Sequence, residues 1–167
     1  MLRLSWFISL GISLFGVLII EYFFTMQPDE VASSGNLGAL GLALVLPFVA
    51  LSLFITFRFF TQFIRTRQDM LSRSIAFIFS VALAIVLFIY AKQYGADVYD
   101  SLGGTTHDKQ SIIYGFPALN EYTNRVFINF YTFALVHTVA AFIGIVYGLV
   151  KPVSSTPIED ASEGQGE

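Results

Sequence analysis

The sequence predicts an all-α membrane protein in which four transmembrane helices form an antiparallel bundle with both termini in the cytoplasm. The composition is the first observation behind this fold class. Of the 167 residues, 55% are hydrophobic and only 13% are charged, whereas soluble domains average about 25% charged residues. The second observation is a set of four long apolar runs separated by polar segments. A run of about 20 apolar residues is enough to cross the hydrocarbon core of a bilayer.

The first predicted span covers residues 4–24, and Glu21 is its only charged residue. A signal peptide is the competing interpretation, because Arg3 supplies a basic start. The apolar run is longer than the core of a signal peptide, which is about 7–15 residues, and no cleavage site of small residues follows it. We therefore expect this segment to be retained as a helix. Pro28 and Gly35 predict turns in the acidic link that follows.

The second predicted span covers residues 37–57, and Pro47 near its middle predicts a kink. The third covers residues 74–91 and the fourth residues 126–150. Between these two lies the one long connection, residues 95–124, which is polar at first and aromatic later. Connections of this length are typically functional or disordered. We expect the aromatic half of this extracytoplasmic loop to lie on the membrane surface or to fold back onto the bundle.

The distribution of basic residues predicts the orientation. A hinge between the second and third spans contains only one acid and is the most basic part of the chain. Its predicted topology-determining residues are Arg58, Arg65, Arg67 and Arg73. Short basic loops stay in the cytoplasm, and the cytoplasmic side then also receives Arg3 and Lys151. The opposite side receives three basic residues, namely Lys92, Lys109 and Arg125.

This six-to-three division predicts that both termini lie in the cytoplasm. The expected location of this multi-pass protein is the cell (inner) membrane. The segment after the fourth span, residues 152–167, contains four acids and almost nothing apolar. A segment of this composition cannot bury enough apolar surface to fold. We therefore expect a disordered acidic tail in the cytoplasm.

Each predicted span also carries small residues about four positions apart, a spacing that lets membrane helices approach closely. The predicted helix-packing residues are Ser9, Ser13, Ala39, Ala43, Ser80, Ala84, Ala140, Gly144 and Gly148. The alternative is that small residues are simply common in membrane helices.

His137 is the only ionisable residue of the fourth span and lies near its middle. With 100° between successive residues, it shares a helix face with Gly144 and Gly148. An ionisable residue at this depth suggests a proton relay, a cofactor ligand or a quinone contact. The structural alternative is a neutral His that is hydrogen-bonded to a neighbouring helix. We favour the structural alternative because no second ionisable group lies at the same depth.

Glu21 is the second candidate polar residue in the membrane. It lies three residues from the outer end of its span, about 5 Å along the helix axis. We therefore expect its carboxyl group to reach the interface. Arg125 and Lys92 are its predicted partners at the outer rim, and Asn129 could also reach it.

The chain lacks the residues that several kinds of catalytic or cofactor site require. The chain has no Cys, which excludes disulfides, thiolate metal sites and thiol nucleophiles. The spans contain one His, whereas a haem in a helix bundle needs paired axial ligands. His107 and the nearby aspartates match no metal-ligand spacing, and Gly103–Gly104 lacks the Lys of a phosphate loop. We predict no cofactor, no metal and no nucleic-acid partner, whereas contact of the arginine hinge with anionic lipid stays open.

The favoured functional hypothesis is a non-enzymatic accessory or scaffold subunit. Its predicted partners are the lipid bilayer and other membrane subunits, or further copies of itself, and it would act by lateral helix association. The alternative is a small transporter or proton-coupled carrier that uses His137 and Glu21, although the two halves show no internal repeat. A membrane enzyme ranks third, because only the loop from Asp97 to Arg125 could supply a polar cluster.

Overall fold

A computed structural model describes residues 2–30, 35–67 and 69–151. The helices are α1 (Leu2–Phe23), α2 (Leu37–Thr66), α3 (Met70–Ser101), the short α4 (Asn124–Phe127) and α5 (Phe130–Val150). Helices α1, α2 and α3 and the stretch from α4 to α5 are each long and apolar enough to cross a membrane. These four helices indicate a multi-pass membrane protein. The predicted acidic tail lies outside the described residues.

Helices α2 and α3 extend well beyond the predicted spans. Helix α2 continues past residue 57 to Thr66, because residues 58–66 contain no Gly or Pro. Helix α3 begins at Met70, where the side chain of Asp69 accepts a hydrogen bond from the backbone nitrogen of Ser72 at 2.8 Å. The basic hinge is therefore mostly helical. With 32 residues, α3 is about 48 Å long and exceeds the hydrocarbon core by about 18 Å.

The fourth predicted span is divided into α4 and α5. Asn129 begins α5: its side chain accepts a hydrogen bond from the backbone nitrogen of Thr132 at 2.9 Å. The Thr132 hydroxyl in turn accepts a hydrogen bond from the backbone nitrogen of Asn129 at 3.2 Å. This reciprocal pair is a capping box, which satisfies free backbone donors at a helix start. Asn129, one of the candidate polar residues, is fully buried and serves here as a helix cap.

Helix α2 lies between α1 and α5, and α3 packs along α5. On the α1 side, the Ser13 hydroxyl reaches the Phe48 carbonyl at 2.9 Å. On the α5 side, Gly144 lies against the backbone of Phe57, and the Thr61 hydroxyl donates a hydrogen bond to the Gly144 carbonyl at 3.1 Å. Small residues and hydroxyl groups thus hold α1, α2 and α5 together.

The predicted loop folds into a compact unit, here called the cap (residues 102–123). Leu102, Ile113 and Tyr122 are buried in the cap and pack with Val98 of α3. The Tyr122 hydroxyl donates a hydrogen bond to the Glu30 carbonyl at 2.8 Å, which links the cap to the segment after α1. The predicted loop 95–124 therefore consists of the last turns of α3, a folded cap and the start of α4.

Candidate functional site

The four hinge arginines lie at one end of the bundle, here called the arginine end. Three guanidinium groups lie over aromatic rings, at 6.0 Å for Arg58 and Phe54, 5.6 Å for Arg65 and Tyr147, and 4.9 Å for Arg67 and Phe63. Arg73 instead donates two hydrogen bonds, of 2.8 and 2.6 Å, to the Arg67 carbonyl. Lys151 lies over the same Tyr147 ring at 5.1 Å. The structure thus gathers these basic residues where α2 meets α3 and α5 ends.

His137 is buried at the interface of α5 and α2. Its Nδ1 lies 2.8 Å from the Phe133 carbonyl and its Nε2 lies 2.7 Å from the Ser52 hydroxyl. A carbonyl only accepts hydrogen bonds, so Nδ1 carries a proton. In the neutral ring, Nε2 then accepts the Ser52 proton. His137 is 6% exposed, and both ring nitrogens have partners within the chain.

A second polar contact joins α1 to α2 one turn from Ser52. The indole nitrogen of Trp6 donates a hydrogen bond to the Thr56 hydroxyl at 3.0 Å. Thr56 in turn donates to the Ser52 carbonyl at 2.7 Å. Trp6 also stacks on Phe59, with ring centroids 4.5 Å apart. The buried polar groups of α2 therefore connect α1 on one side with His137 on the other.

Glu21 is buried, with 5% exposure, and its partners differ from those that the sequence predicted. One carboxyl oxygen accepts a hydrogen bond from the Tyr94 hydroxyl of α3 at 2.7 Å. The other accepts from the backbone nitrogen of Phe130, the first residue of α5, at 3.2 Å. The backbone N–H groups of the first helical turn have no carbonyl one turn earlier to bind. The N–H of Phe130 is therefore available to donate to the Glu21 carboxyl group, and the start of a helix favours a negative charge. Glu21 thus joins α1, α3 and α5.

Two of the predicted partners of Glu21, Arg125 and Asn129, bind elsewhere. Arg125 donates a hydrogen bond through Nη1 to the side-chain oxygen of Gln27 at 3.0 Å. Asn129 donates through its side-chain nitrogen to the carbonyls of Arg125 and Val126, at 2.8 and 3.1 Å. The sequence could not show which groups bind Glu21. That choice depends on the break between α4 and α5, which places the start of α5 beside Glu21.

Glu21 and His137 do not form one polar site. Phe133 lies between the backbone nitrogen that binds Glu21 and the imidazole, and its ring centroid is 4.1 Å from that of His137. Phe133 is itself buried with Val17 and Ile20 of α1. An apolar layer therefore separates the two ionisable side chains.

The predicted helix-packing residues fall into three groups. Ser13, Gly144 and Gly148 are buried at contacts with α2. Ser9, Ala39, Ala84 and Ala140 are half-buried, and Ala43 is exposed. Ser80 is buried and lines a cleft described below. The small residues of α5 are thus used for contact with α2 of the same chain.

A lateral cleft of about 630 Å³ is lined by residues from α1, α2, α3 and α5. It exists because α3 packs along α5 while its contacts with α1 and α2 are slight. Trp6 and Thr56 lie on one wall, and Ser80, His137 and Thr138 line the others. Its volume is in the range of sites that hold small ligands.

Ser52, Thr56 and Tyr94 were not among the candidate residues predicted from the sequence. Ser52 and Thr56 interrupt an apolar run one helical turn apart, and this spacing places both on one face of α2. That signal could have paired them with His137. Nothing in the sequence pairs Tyr94 with Glu21, because that contact depends on how α3 packs. Within the described ranges, no group of three or more His, Asp or Glu residues could hold a metal ion.

Comparison of the chain with protein-family models, with curated proteins and with solved structures finds no match in any of the three.

Proposed function

We propose that this protein is a non-enzymatic accessory or scaffold subunit of a larger assembly in the cell membrane. In this proposal its helices form an antiparallel bundle with both termini in the cytoplasm, and it acts by lateral helix association. The observation that carries the proposal is the position of α3. Only 6% of the most apolar stretch of α3 is buried, against 39% in the stretch from α4 to α5.

The outer face of α3 (Ile78, Ala82, Ile85 and Ile89) lies opposite the face that packs on α5. These residues recur at helical spacing on one side, and all four are exposed. Hydrophobicity does not drive helix association in lipid, whereas close packing does. Ala82 is the small residue of this face, at which a partner helix would approach closely.

The cap adds a second argument for this face. Helix α3 extends beyond the hydrocarbon core and carries the cap at its end. Buried side chains and the hydrogen bond from Tyr122 to the Glu30 carbonyl fix the cap to the bundle. In this proposal a partner along α3 meets the apolar outer face within the bilayer and the folded cap at the end of the helix.

The carrier hypothesis receives less support from the geometry. A proton relay needs ionisable groups in contact or joined by polar groups. Phe133 stands between Glu21 and His137, and the partners of each side chain are structural: a helix start and Tyr94 for Glu21, Ser52 for His137. Both side chains are thus explained by helix packing.

Photo-crosslinking in intact cells tests the proposal. A photoreactive residue at Ile85 of α3, which is 56% exposed, should give one major adduct whose partner copurifies in fixed stoichiometry. The matched control is Leu44 of α2, which is 67% exposed on another side of the bundle. The same adduct should disappear with Ala82→Trp, which blocks close approach. Equal adduct patterns at Ile85 and Leu44 would contradict the proposal.

A further inference from the structure

The hydroxyl and imidazole groups along the middle of the lateral cleft have their hydrogen-bond donors engaged within the chain. The hydroxyls of Thr56, Ser80 and Thr138 donate to carbonyls of their own helices at 2.7, 2.8 and 2.8 Å. Both nitrogens of His137 are also engaged. A polar substrate would find no free donor among these groups, whereas a hydrocarbon chain requires none.

One end of the cleft is basic. Arg67 lines the cleft where it meets the arginine end, and its guanidinium stacks on Phe63 at 4.9 Å. Among the described residues, no acceptor is hydrogen-bonded to this guanidinium and no carboxylate forms an ion pair with it. Asp69, two residues along the chain, is close enough for the Arg67 charge to help lower the pKa of its carboxyl group, after the larger effect of the hydrogen bonds from Ser72, and those hydrogen bonds engage its carboxylate at the start of α3. Arg67 is therefore available to an outside anion.

We propose that the cleft holds one acyl chain of an anionic phospholipid, whose phosphate binds Arg67. The dimensions fit this ligand: along α3 the lining runs from Ser72 to Leu83, which is about 16 Å of helix. One leaflet of the hydrocarbon core is about 15 Å thick. A basic residue at the membrane surface attracts anionic headgroups, and a guanidinium binds phosphate in a bidentate manner. This site is separate from the outer face of α3.

Trp6 makes the proposal measurable, because it is the only Trp of the chain and lines the cleft. The full chain is placed in phosphatidylcholine vesicles with increasing fractions of phosphatidylglycerol that carries bromine on its acyl chains. Bromine quenches indole fluorescence on contact. The expected quenching saturates at a mole fraction about fivefold lower than for brominated phosphatidylcholine, since one arginine favours an anionic headgroup by roughly this factor.

Two arginine variants separate a site from general surface charge. Arg67→Gln should remove the preference for the anionic lipid. Arg58→Gln should keep it, because Arg58 lies at the same end of the bundle, over Phe54, and does not line the cleft. Ala76→Phe, which fills the cleft, should lower the maximum quenching for both lipids. Arg67 caps α2, Arg58 lies about two turns earlier in the same helix, and both are exposed, so neither glutamine variant depends on repacking of the core.

Two results would overturn the proposal. Quenching that rises in proportion to mole fraction, equally for both headgroups, would mean that Trp6 meets only bulk lipid or that a protein helix fills the cleft. Equal loss of preference in Arg67→Gln and Arg58→Gln would assign the effect to net charge. Neither result bears on crosslinking at Ile85, so the proposed subunit role is tested separately.

Discussion

The Glu21 carboxyl group and the Tyr94 hydroxyl, 2.7 Å apart, form the hydrogen bond that ties α1 to α3 across the open side of the bundle. The two helices make few other contacts. Because the second oxygen of Glu21 binds the start of α5, this carboxyl group fixes three helices at the end of the bundle that carries the cap.

Tyr94→Phe should therefore destabilise the protein by about 1–3 kcal/mol, since it leaves a buried acceptor with one donor fewer. Unfolding in detergent, followed through Trp6 fluorescence, measures this change. Tyr90→Phe is the control, because the Tyr90 ring stacks on Tyr131 while its side chain is 51% exposed. Equal stability of the two variants would show that the Glu21 contact contributes nothing.

The small residues of α5 give a second prediction. A Cβ atom at Gly144 would lie 2.5 Å from the Phe57 carbonyl oxygen, which belongs to rigid helix backbone. Gly144→Ala should therefore cost about 1–3 kcal/mol through overpacking. Gly11→Ala should be close to neutral, because a Cβ atom there meets nothing within 4 Å. The same unfolding assay compares them, and an equally mild Gly144→Ala would argue against close packing of α2 and α5.

The sequence predicted the number and nature of the long helices because hydrophobic runs of spanning length have few other uses. It could not predict where α2 and α3 end. The segments 58–66 and 92–101 are compatible with a helix, and the ends of both helices are decided by packing and capping. It identified Glu21 and His137 from their rarity in lipid. Their actual partners, Tyr94 and Ser52, follow from the relative placement of helices, which a single sequence does not contain.

The orientation of the bundle remains a prediction and can be tested with single cysteines, because the chain contains none. A cysteine at His107, which is exposed in the cap, should react with an impermeant thiol reagent added to intact cells. A cysteine at Thr66, which is exposed at the arginine end, should react only after the membrane is opened. The reverse pattern would place the arginine end outside the cell.

The cap should respond to acid through Asp108. Its carboxylate accepts hydrogen bonds from the backbone nitrogen and the hydroxyl of Thr105, both at 2.7 Å. These bonds hold the pKa of Asp108 below its ordinary value of 3.8. Because folding lowers this pKa, the stabilisation of the cap by the Asp108 carboxylate is complete above pH 3.8. It is lost as the pH falls through the pKa that Asp108 has in the folded protein.

The amide resonance of Thr105 should therefore titrate with a midpoint below pH 3.8. In Asp108→Asn the same resonance should not move over this range, because an amide does not titrate. A midpoint at or above 3.8 in the native protein would contradict the hydrogen bonds that the structure shows.

Removing one or the other partner of the hydrogen bond between Ser52 and His137 should change the stability of the protein by unequal amounts. The Ser52 hydroxyl lies 2.7 Å from the imidazole Nε2 and 2.9 Å from the Val49 carbonyl. When His137 is replaced by Leu, the hydroxyl can donate to Val49 instead, so no partner is stranded. When Ser52 is replaced by Ala, the buried Nε2 has no donor, which costs about 1–3 kcal/mol.

We therefore expect Ser52→Ala to be more harmful than Ser80→Ala, since Ser80 donates only to its own helix. Adding His137→Leu to Ser52→Ala should recover part of the lost stability, because the stranded nitrogen is removed. A double variant less stable than Ser52→Ala alone would refute this account. The same residues separate the two functions: a carrier would lose transport equally in His137→Gln and His137→Leu, whereas a subunit would keep its partner in both as long as the fold holds.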